Sequence, residues 1–201
     1  MRPLLRVVPG LILLAGCSTA PPAVEVPPPA TFDAEAMTAR AMADYDRNKN
    51  GFLEGSELDA CPALKGSLIG IDTNRDGKIS RDELKARFES YAAANTAMMT
   101  ATVTVTLDGS PLANATVQFV PEPCMGEAAK EVTAKTGADG TTSAFTFDGQ
   151  EYQGLPLGLY KVKVTAAGKT LPTRYNTQST LGAEVSGGRG TKPLTFTLSS
   201  R

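Results

Sequence analysis

At 201 residues the chain has room for one or two domains, and 41% of its residues are apolar, which is enough to form folded cores. It contains no histidine, so it can build neither a Ser-His-Asp triad nor a histidine zinc site. The formal charge of -1 and the pI near 5.6 lack the basic excess of nucleic-acid-binding proteins. The sequence also has no nucleophile motif and no phosphate-binding loop. We therefore expect neither an enzyme nor a nucleic-acid-binding protein.

The first 16 residues have the pattern of a cleaved targeting segment. Arg2 and Arg6 form a basic start, an apolar stretch follows, and the tetrapeptide Leu14-Ala15-Gly16-Cys17 comes next. This tetrapeptide resembles the lipobox of bacterial lipoproteins, which implies cleavage before Cys17 and attachment of lipid, such as palmitate, to that cysteine. An ordinary secretory signal or a short membrane helix is the alternative, although the apolar run is short for a bilayer span.

The lipobox resemblance also implies a location. A lipidated Cys17 anchors the protein to a membrane on its extracytoplasmic side, and Ser18 as the next residue favours the outer membrane of a two-membrane bacterium. Residues 17–31 then form a tether, because their prolines favour an extended polyproline conformation. At ~3.1 Å per residue, the fourteen residues after the cysteine reach roughly 40 Å. A proline-rich ligand for a recognition domain is the alternative.

Residues 32–97 contain one twelve-residue pattern twice, from Asp46 to Glu57 and from Asp72 to Glu83. In both copies, side chains with oxygen atoms occupy positions 1, 3 and 5, and glutamate occupies position 12. Gly51 and Gly77 at position 6 suit a sharp turn in a backbone conformation that other residues resist. A tightly curled loop rich in carboxylate and amide oxygens suits a hard divalent cation, which takes six to eight oxygen ligands.

Each copy resembles the EF-hand calcium loop, which implies two Ca²⁺ ions, one in each loop. In this family position 7 contributes a backbone carbonyl, position 9 usually acts through a water, and position 12 binds with both oxygens. The implied ligands are Asp46, Asn48, Asn50, Phe52, Glu54 and Glu57 in the first loop, and Asp72, Asn74, Asp76, Lys78, Ser80 and Glu83 in the second. Leu53 and Ile79 at position 8 predict a short strand bridge between the loops. Two ordinary surface turns are the alternative, because Asp, Asn and Gly are turn formers.

The segments around the loops predict helices. Asp33 can cap the first helix, and only fourteen residues separate the two loops, so the inner helices must be short. Pro62 is expected to end one inner helix and begin the next. Apolar residues recur at helical spacing on both outer flanks, and they are Met37, Ala41 and Tyr45 before the first loop and Leu84, Phe88 and Tyr91 after the second.

Two cysteines remain besides Cys17. Cys61 lies between the loops and Cys124 lies in the C-terminal half. Because an extracytoplasmic compartment is oxidising, this pair can close a disulfide that joins the two domains. The alternative is two small apolar residues, each buried in its own core.

From about residue 100 the hydrophobic period changes to two. Val103, Val105 and Leu107 alternate with threonines, which is typical of a half-buried strand. Further strand candidates are residues 115–120, 143–147, 159–165 and 194–198, with glycine-rich turns between them. About seven short strands over residues 100–201 predict an antiparallel β-sandwich. The expected fold class is therefore α+β in two domains, a small all-α domain followed by the sandwich.

Four segments resemble the carboxypeptidase regulatory-like, transthyretin-like domains of bacteria. They are residues 107–117, the turn Gly137-Ala138-Asp139-Gly140, the stretch Gly154-Leu155-Pro156-Leu157-Gly158-Leu159-Tyr160-Lys161-Val162, and Leu171-Pro172-Thr173-Arg174-Tyr175-Asn176. The resemblance implies a transthyretin/prealbumin-like sandwich with a packing or adhesion role. It implies no catalytic activity, because function lies in sites rather than in a fold.

Two functions fit these patterns. The first is a non-enzymatic, calcium-binding lipoprotein of the cell envelope, in which the paired EF-hands sense extracytoplasmic calcium or are braced by it. The second is an adhesion or scaffold module whose sandwich binds a protein or polysaccharide, with calcium only structural. The first loop places one of its three formal charges at position 9, so we expect the second loop to bind calcium at least as tightly.

Overall fold

The computed structural model describes residues 26–188 and 193–201. The predicted signal peptide, Cys17 and tether residues 18–25 lie outside these residues. Within them, no helix has both the length and the apolar character needed to cross a membrane. Residues 26–33 form neither helix nor strand and lead into the first helix.

The hand module, residues 32–97, contains four helices and two very short strands. Asp33 caps the first helix through a 3.0 Å hydrogen bond from the Ala36 amide to Asp33 Oδ1, as predicted. Pro62 stands in the first turn of the third helix, one residue after Cys61 ends the second, so the predicted break between short inner helices is confirmed. The elements are α1 (Ala34–Tyr45), β1 (Phe52–Leu53), α2 (Ser56–Ala60), α3 (Pro62–Ile71), β2 (Ile79–Ser80) and α4 (Arg81–Ala94).

The core of the hand module matches the predicted helical faces. Met37, Ala41 and Tyr45 of α1 are buried, and so are Leu84, Phe88 and Tyr91 of α4. The Tyr91 ring packs against Phe88 on the same helix and against Phe32 from the segment before α1. These contacts hold the two outer helices together.

The β module, residues 98–201, begins two residues before the predicted boundary. Its strands are β3 (Met98–Thr100), β4 (Val103–Leu107), β5 (Ser110–Pro111), β6 (Ala115–Pro121), β7 (Val132–Lys135), β8 (Thr141–Thr142), β9 (Phe145–Phe147), β10 (Gln150–Tyr152), β11 (Gly154–Pro156), β12 (Gly158–Ala166), β13 (Leu181–Val185) and β14 (Leu194–Leu198). Two 3-10 helices, Pro123–Ala128 and Thr173–Tyr175, interrupt the series. The described residues of the β module thus form twelve strands rather than about seven, because bends divide the chain into several pieces of two or three residues.

A six-stranded antiparallel sheet in the order β10-β9-β7-β6-β12-β13 forms the larger layer of the β module. A second sheet has the order β14-β4-β5 with β8 also paired to β4, and β3 pairs with β11 in a short ribbon. Phe119 on β6 contacts Phe196 on β14, so aromatic side chains fill the space between the larger sheets. The β14–β4 pair runs parallel, which departs from the predicted antiparallel pairing. The helices followed by largely antiparallel sheets confirm the α+β class.

The hand module packs against one edge of the six-stranded sheet. Helix α3 lies on β13, and the buried apolar residues of both modules form one continuous cluster. A Cβ atom on Gly182 would lie 2.1 Å from the Pro62 carbonyl carbon, so the close approach of α3 to β13 requires glycine there. The Arg87 guanidinium pairs with the Glu184 carboxylate, which also accepts a hydrogen bond from the Tyr91 hydroxyl.

Candidate metal centre

The first predicted loop curls around the carboxylate of its first residue. The Asn50 amide donates to Asp46 Oδ1 at 3.2 Å, and the Gly51 amide donates to Asp46 Oδ2 at 3.0 Å. Two residues turn the chain with positive φ, Lys49 at 58° and Gly51 at 86°. The glycine is needed at the second of these positions because other residues rarely adopt that conformation.

The second predicted loop repeats this geometry position by position. The Asp76 amide donates to Asp72 Oδ1 at 3.2 Å, and the Gly77 amide donates to Asp72 Oδ2 at 2.8 Å. Arg75 at 62° and Gly77 at 82° supply the same pair of positive φ angles. The two copies of the sequence pattern therefore form the same backbone structure.

The glutamate at position 12 closes each loop by reaching back to its start. Glu57 Oε1 accepts hydrogen bonds from the Arg47 and Asn48 amides at 3.0 and 3.2 Å. Glu83 Oε1 accepts the equivalent bonds from Thr73 and Asn74 at 2.8 and 3.3 Å. In each loop the backbone amides thus hold both the first and the last carboxylate, the amides of positions 5 and 6 for the first and those of positions 2 and 3 for the last.

Glu83 is also the third residue of α4 and belongs to its N-terminal cap. Ser80 Oγ accepts from the Glu83 amide at 3.3 Å, and Glu83 Oε2 accepts from the Ser80 amide at 3.0 Å, which together form a capping box. Burial alone would raise the pKa of Glu83, but the hydrogen bonds from Ser80 and Thr73 lower it to about 2. The side chain is therefore a carboxylate at neutral pH, as a ligand for a hard cation must be.

The predicted strand bridge joins the two loops. Leu53 pairs with Ile79 and Phe52 pairs with Ser80 in an antiparallel ladder, and Leu53 and Ile79 are fully buried. The carbonyl-bearing residues at position 7, Phe52 and Lys78, stand at this bridge. The bridge thus connects the two loops directly.

Position 7 of the second loop has a role that the ligand pattern did not reveal. Lys78 Nζ lies 2.6 Å from Glu54 Oε2, so a side chain of the second loop pairs with position 9 of the first. This contact, with a further hydrogen bond from Asn50, lowers the pKa of Glu54. In the sequence, only the opposite charges of Lys78 and Glu54 could have indicated this ion pair.

The donor set of each loop fits a hard divalent cation, because its side chains offer oxygen and no thiol or imidazole. Asn48 Oδ1 accepts from the Asn50 amide, and Asn74 Oδ1 accepts from the Asp76 amide, which orients both position-3 side chains within their loops. Within residues 26–188 and 193–201, however, no cluster of three or more His, Cys, Asp or Glu side chains is arranged to hold a metal ion. The ligand assignments and the number of ions therefore stay predictions.

The predicted cysteine pair lies away from the loops. Cys61 at the start of α3 and Cys124 in the Pro123–Ala128 helix are both buried free thiols. Both belong to the buried apolar cluster that continues from one module into the other. The disulfide between them stays a prediction.

Comparison with known proteins supports calcium binding in one part of this region. A family model described as EF hand matches residues 71–88, which contain the second loop and the first half of α4. Searches of the curated proteins and of the solved structures found no match. The family match suggests calcium binding by the segment that it covers.

Proposed function

We propose that this protein is a non-enzymatic calcium-binding protein that holds one ion in each of its two loops. The hydrogen-bond pattern that both loops share supports the proposal. In both loops the amides of positions 5 and 6 donate to the carboxylate of position 1, and those of positions 2 and 3 donate to the glutamate of position 12. The family match to residues 71–88 supports the same chemistry in the second loop.

Calcium acts in this proposal as a brace between the modules. Bound calcium supplies the positive charge that offsets carboxylates gathered in each loop. Glu83 stands in the first turn of α4, and Arg87 and Tyr91 of the same helix both contact Glu184 on β13. A well-ordered second loop therefore favours docking of α4 on the β module.

The two loops differ in charge balance. Each has three carboxylates at candidate ligand positions. In the first loop Glu54 is paired with Lys78, whereas Asp72, Asp76 and Glu83 accept hydrogen bonds from their own loop. We expect the second loop to bind at least as tightly as the first. Dissociation constants of ~10⁻⁴ to 10⁻³ M, as in extracellular modules, are sufficient where external calcium is plentiful.

Isothermal titration calorimetry on the Glu57→Gln and Glu83→Gln variants tests the assignment. Each substitution removes a carboxylate but preserves side-chain volume, so we expect each variant to lose one of two binding events. Glu89→Gln, at an exposed position of α4, is the matched control and should retain both. Two unchanged binding events in both loop variants would refute the ligand assignment.

The cellular location is part of the proposal. The lipobox-like residues Leu14-Ala15-Gly16-Cys17 support an extracytoplasmic protein anchored through lipid on Cys17, with the outer membrane favoured in a two-membrane bacterium. Labelling cells with radioactive palmitate should mark the wild-type chain but not the Cys17→Ser variant. Equal labelling of both would refute the anchor.

A scaffold or adhesion role is the second candidate. The hand module covers β13 at one edge of the six-stranded sheet, while β10 at the other edge has Gln150 and Glu151 exposed. Such an edge suits an added strand from a protein or the rim of a polysaccharide site. Pull-down from envelope extract with the full chain, with and without calcium, distinguishes the roles, because a scaffold keeps its partner in both conditions.

A further inference from the structure

Four polar or thiol side chains are buried together where the hand module meets the β module. The Tyr45 hydroxyl, at the end of α1, donates to Glu122 Oε2 at 3.0 Å. Cys61 and Cys124 are fully buried, and Glu122 is 1% exposed. Among the described residues Glu122 Oε1 is buried without a hydrogen-bond partner. We call Tyr45, Cys61, Glu122 and Cys124 the thiol node.

The node joins residues that are far apart in the chain. Cys61 stands between α2 and α3, and Cys124 lies in the 3-10 helix that packs against α1. Cys61 and Glu122 are close enough for each to shift the pKa of the other, and both act on Cys124. Both thiols are thus completely buried beside the Tyr45–Glu122 hydrogen bond that links the two modules.

We propose that Cys61 and Cys124 form a gated redox pair, reduced while the modules are docked and oxidised to an inter-module disulfide when they separate. The oxidant is a disulfide, either a small molecule or a protein dithiol in its oxidised form. This proposal does not depend on calcium binding.

Docking protects the thiols in two ways. Complete burial denies an external disulfide access to either sulfur. Burial, with the nearby Glu122 charge, also raises the pKa of Cys61 to about 12, which lowers its reactive thiolate fraction near neutral pH about a thousandfold. Burial and the neighbouring Cys61 and Glu122 likewise raise the pKa of Cys124. Opening the node hydrates both sulfurs and restores ordinary thiol reactivity.

The oxidation itself balances as two thiol–disulfide exchanges. The Cys61 thiol loses its proton to solvent, and the thiolate attacks one sulfur of the oxidant to form a mixed disulfide and release one thiolate. Cys124 then loses its proton and attacks the Cys61 sulfur, which forms the intramolecular bond and releases the second thiolate. The released thiolates take up two protons, so the chain loses two electrons and two protons and the oxidant becomes two thiols.

Mass spectrometry of the intact full-length chain tests the proposal. All proteins carry Cys17→Ser, so only the two buried thiols remain, and they are incubated with excess oxidised glutathione at pH 8. Glu184→Ala removes the acceptor of Arg87 and Tyr91 at the same boundary, and it should accelerate intramolecular oxidation about tenfold or more, because the rate follows the open population. Glu131→Gln, an exposed β-module carboxylate in contact with Gln118, should leave the rate unchanged.

The expected product is the intramolecular disulfide, which is lighter than the reduced chain by two hydrogen atoms. In Cys124→Ser the expected product is instead a single glutathione adduct on Cys61. If Glu184→Ala fails to fold, wild-type protein in increasing sub-denaturing urea gives the same test, with a rising rate of closure. Two observations would overturn the proposal: two stable glutathione adducts with no intramolecular bond after opening, or oxidation of the docked protein as fast as that of the urea-opened chain.

Discussion

Gly182 on β13 offers the sharpest test of how the modules are joined. Its position leaves no space for a side chain, because a Cβ atom would lie 2.1 Å from the Pro62 carbonyl carbon and 2.2 Å from the Ala63 amide nitrogen. Ordinary contact begins near 3.4 Å, so Gly182→Ala must move α3 and β13 apart by more than about 1 Å. Both obstructing atoms are backbone atoms, which no change of rotamer can displace.

The expected cost combines two effects. Overpacking in a well-packed core costs about 1–3 kcal/mol, and the separation also weakens contacts of Ala63 and Leu64, which are fully buried beside it. We expect Gly182→Ala to lower the free energy of unfolding by ~2–4 kcal/mol. With a urea m-value of about 1–3 kcal/mol/M, the unfolding midpoint falls by roughly 1 M or more.

Gly66 on α3 provides the matched control on the facing element. A Cβ atom there would meet only the Gly182 carbonyl oxygen, at 3.9 Å, which is an ordinary contact. Because glycine inside a helix costs ~0.5–1 kcal/mol relative to alanine, Gly66→Ala should stabilise the protein by about that amount. Urea unfolding followed by circular dichroism measures both variants. Equal stabilities of Gly182→Ala and the wild type would show that α3 does not pack on β13 as described.

Three further predictions concern charge. Calcium removal with a chelator should reduce the helical circular dichroism signal while the β signal persists, because the carboxylates of each loop then repel one another and loosen the hand module. An unchanged spectrum would contradict the bracing role of calcium. Lys78→Met should strengthen calcium binding at the first loop a few-fold in calorimetry at low salt, because it removes a cation that pairs with Glu54 in an exposed contact; weaker binding contradicts this charge assignment. Burial raises the pKa of Glu122 above its usual 4.5, so the folded state holds a proton that the unfolded state releases, and stability falls as pH rises through the folded pKa. Glu122→Gln should therefore gain stability relative to the wild type as the pH rises above 4.5 in urea unfolding, and a difference that does not change with pH contradicts this.

The loops were predictable because their structure is local. Asp46 and Gly51, like Asp72 and Gly77, interact within six residues of each other, so their pattern specifies both the turn and the hydrogen bonds that close it. Short-range geometry of this kind needs no knowledge of the rest of the fold. The strand bridge joins different loops through Leu53 and Ile79, and it was expected from the resemblance of both loops to paired EF-hands rather than from local geometry.

The β13 strand was missed although Leu181, Ala183 and Val185 alternate with Gly182 and Glu184, because glycine and glutamate are uncommon in strands. Its sequence is Leu-Gly-Ala-Glu-Val, and the positions that meet the hand module are Gly182 and Glu184 rather than apolar residues. Glycine is required by close approach and glutamate by its partners on α4. Both requirements come from another part of the chain, so no window around β13 contains them.

The thiol node was hidden for a related reason. The sequence shows Glu122 beside a proline, which is typical of a solvated loop, yet the side chain is 1% exposed. Cys61 and Cys124 could be paired only by elimination, and their common neighbour Glu122 could not be identified. The parallel pairing of β14 with β4 was equally inaccessible, since strand direction depends on the path of the chain between them.

The candidate ligands and the contact between the modules share the same helices. Tyr45, whose hydroxyl is hydrogen-bonded to Glu122, directly precedes Asp46. Helix α3 packs on β13 and ends at Ile71, directly before Asp72. Helix α4 carries both Glu83 and the two residues that contact Glu184. A loop cannot change the direction of its helix without moving a contact with the β module. If the loops bind calcium more tightly in the docked state, then by linkage calcium must favour docking by the same factor. Substitutions at Glu184 should therefore change calcium affinity, although this residue touches neither loop.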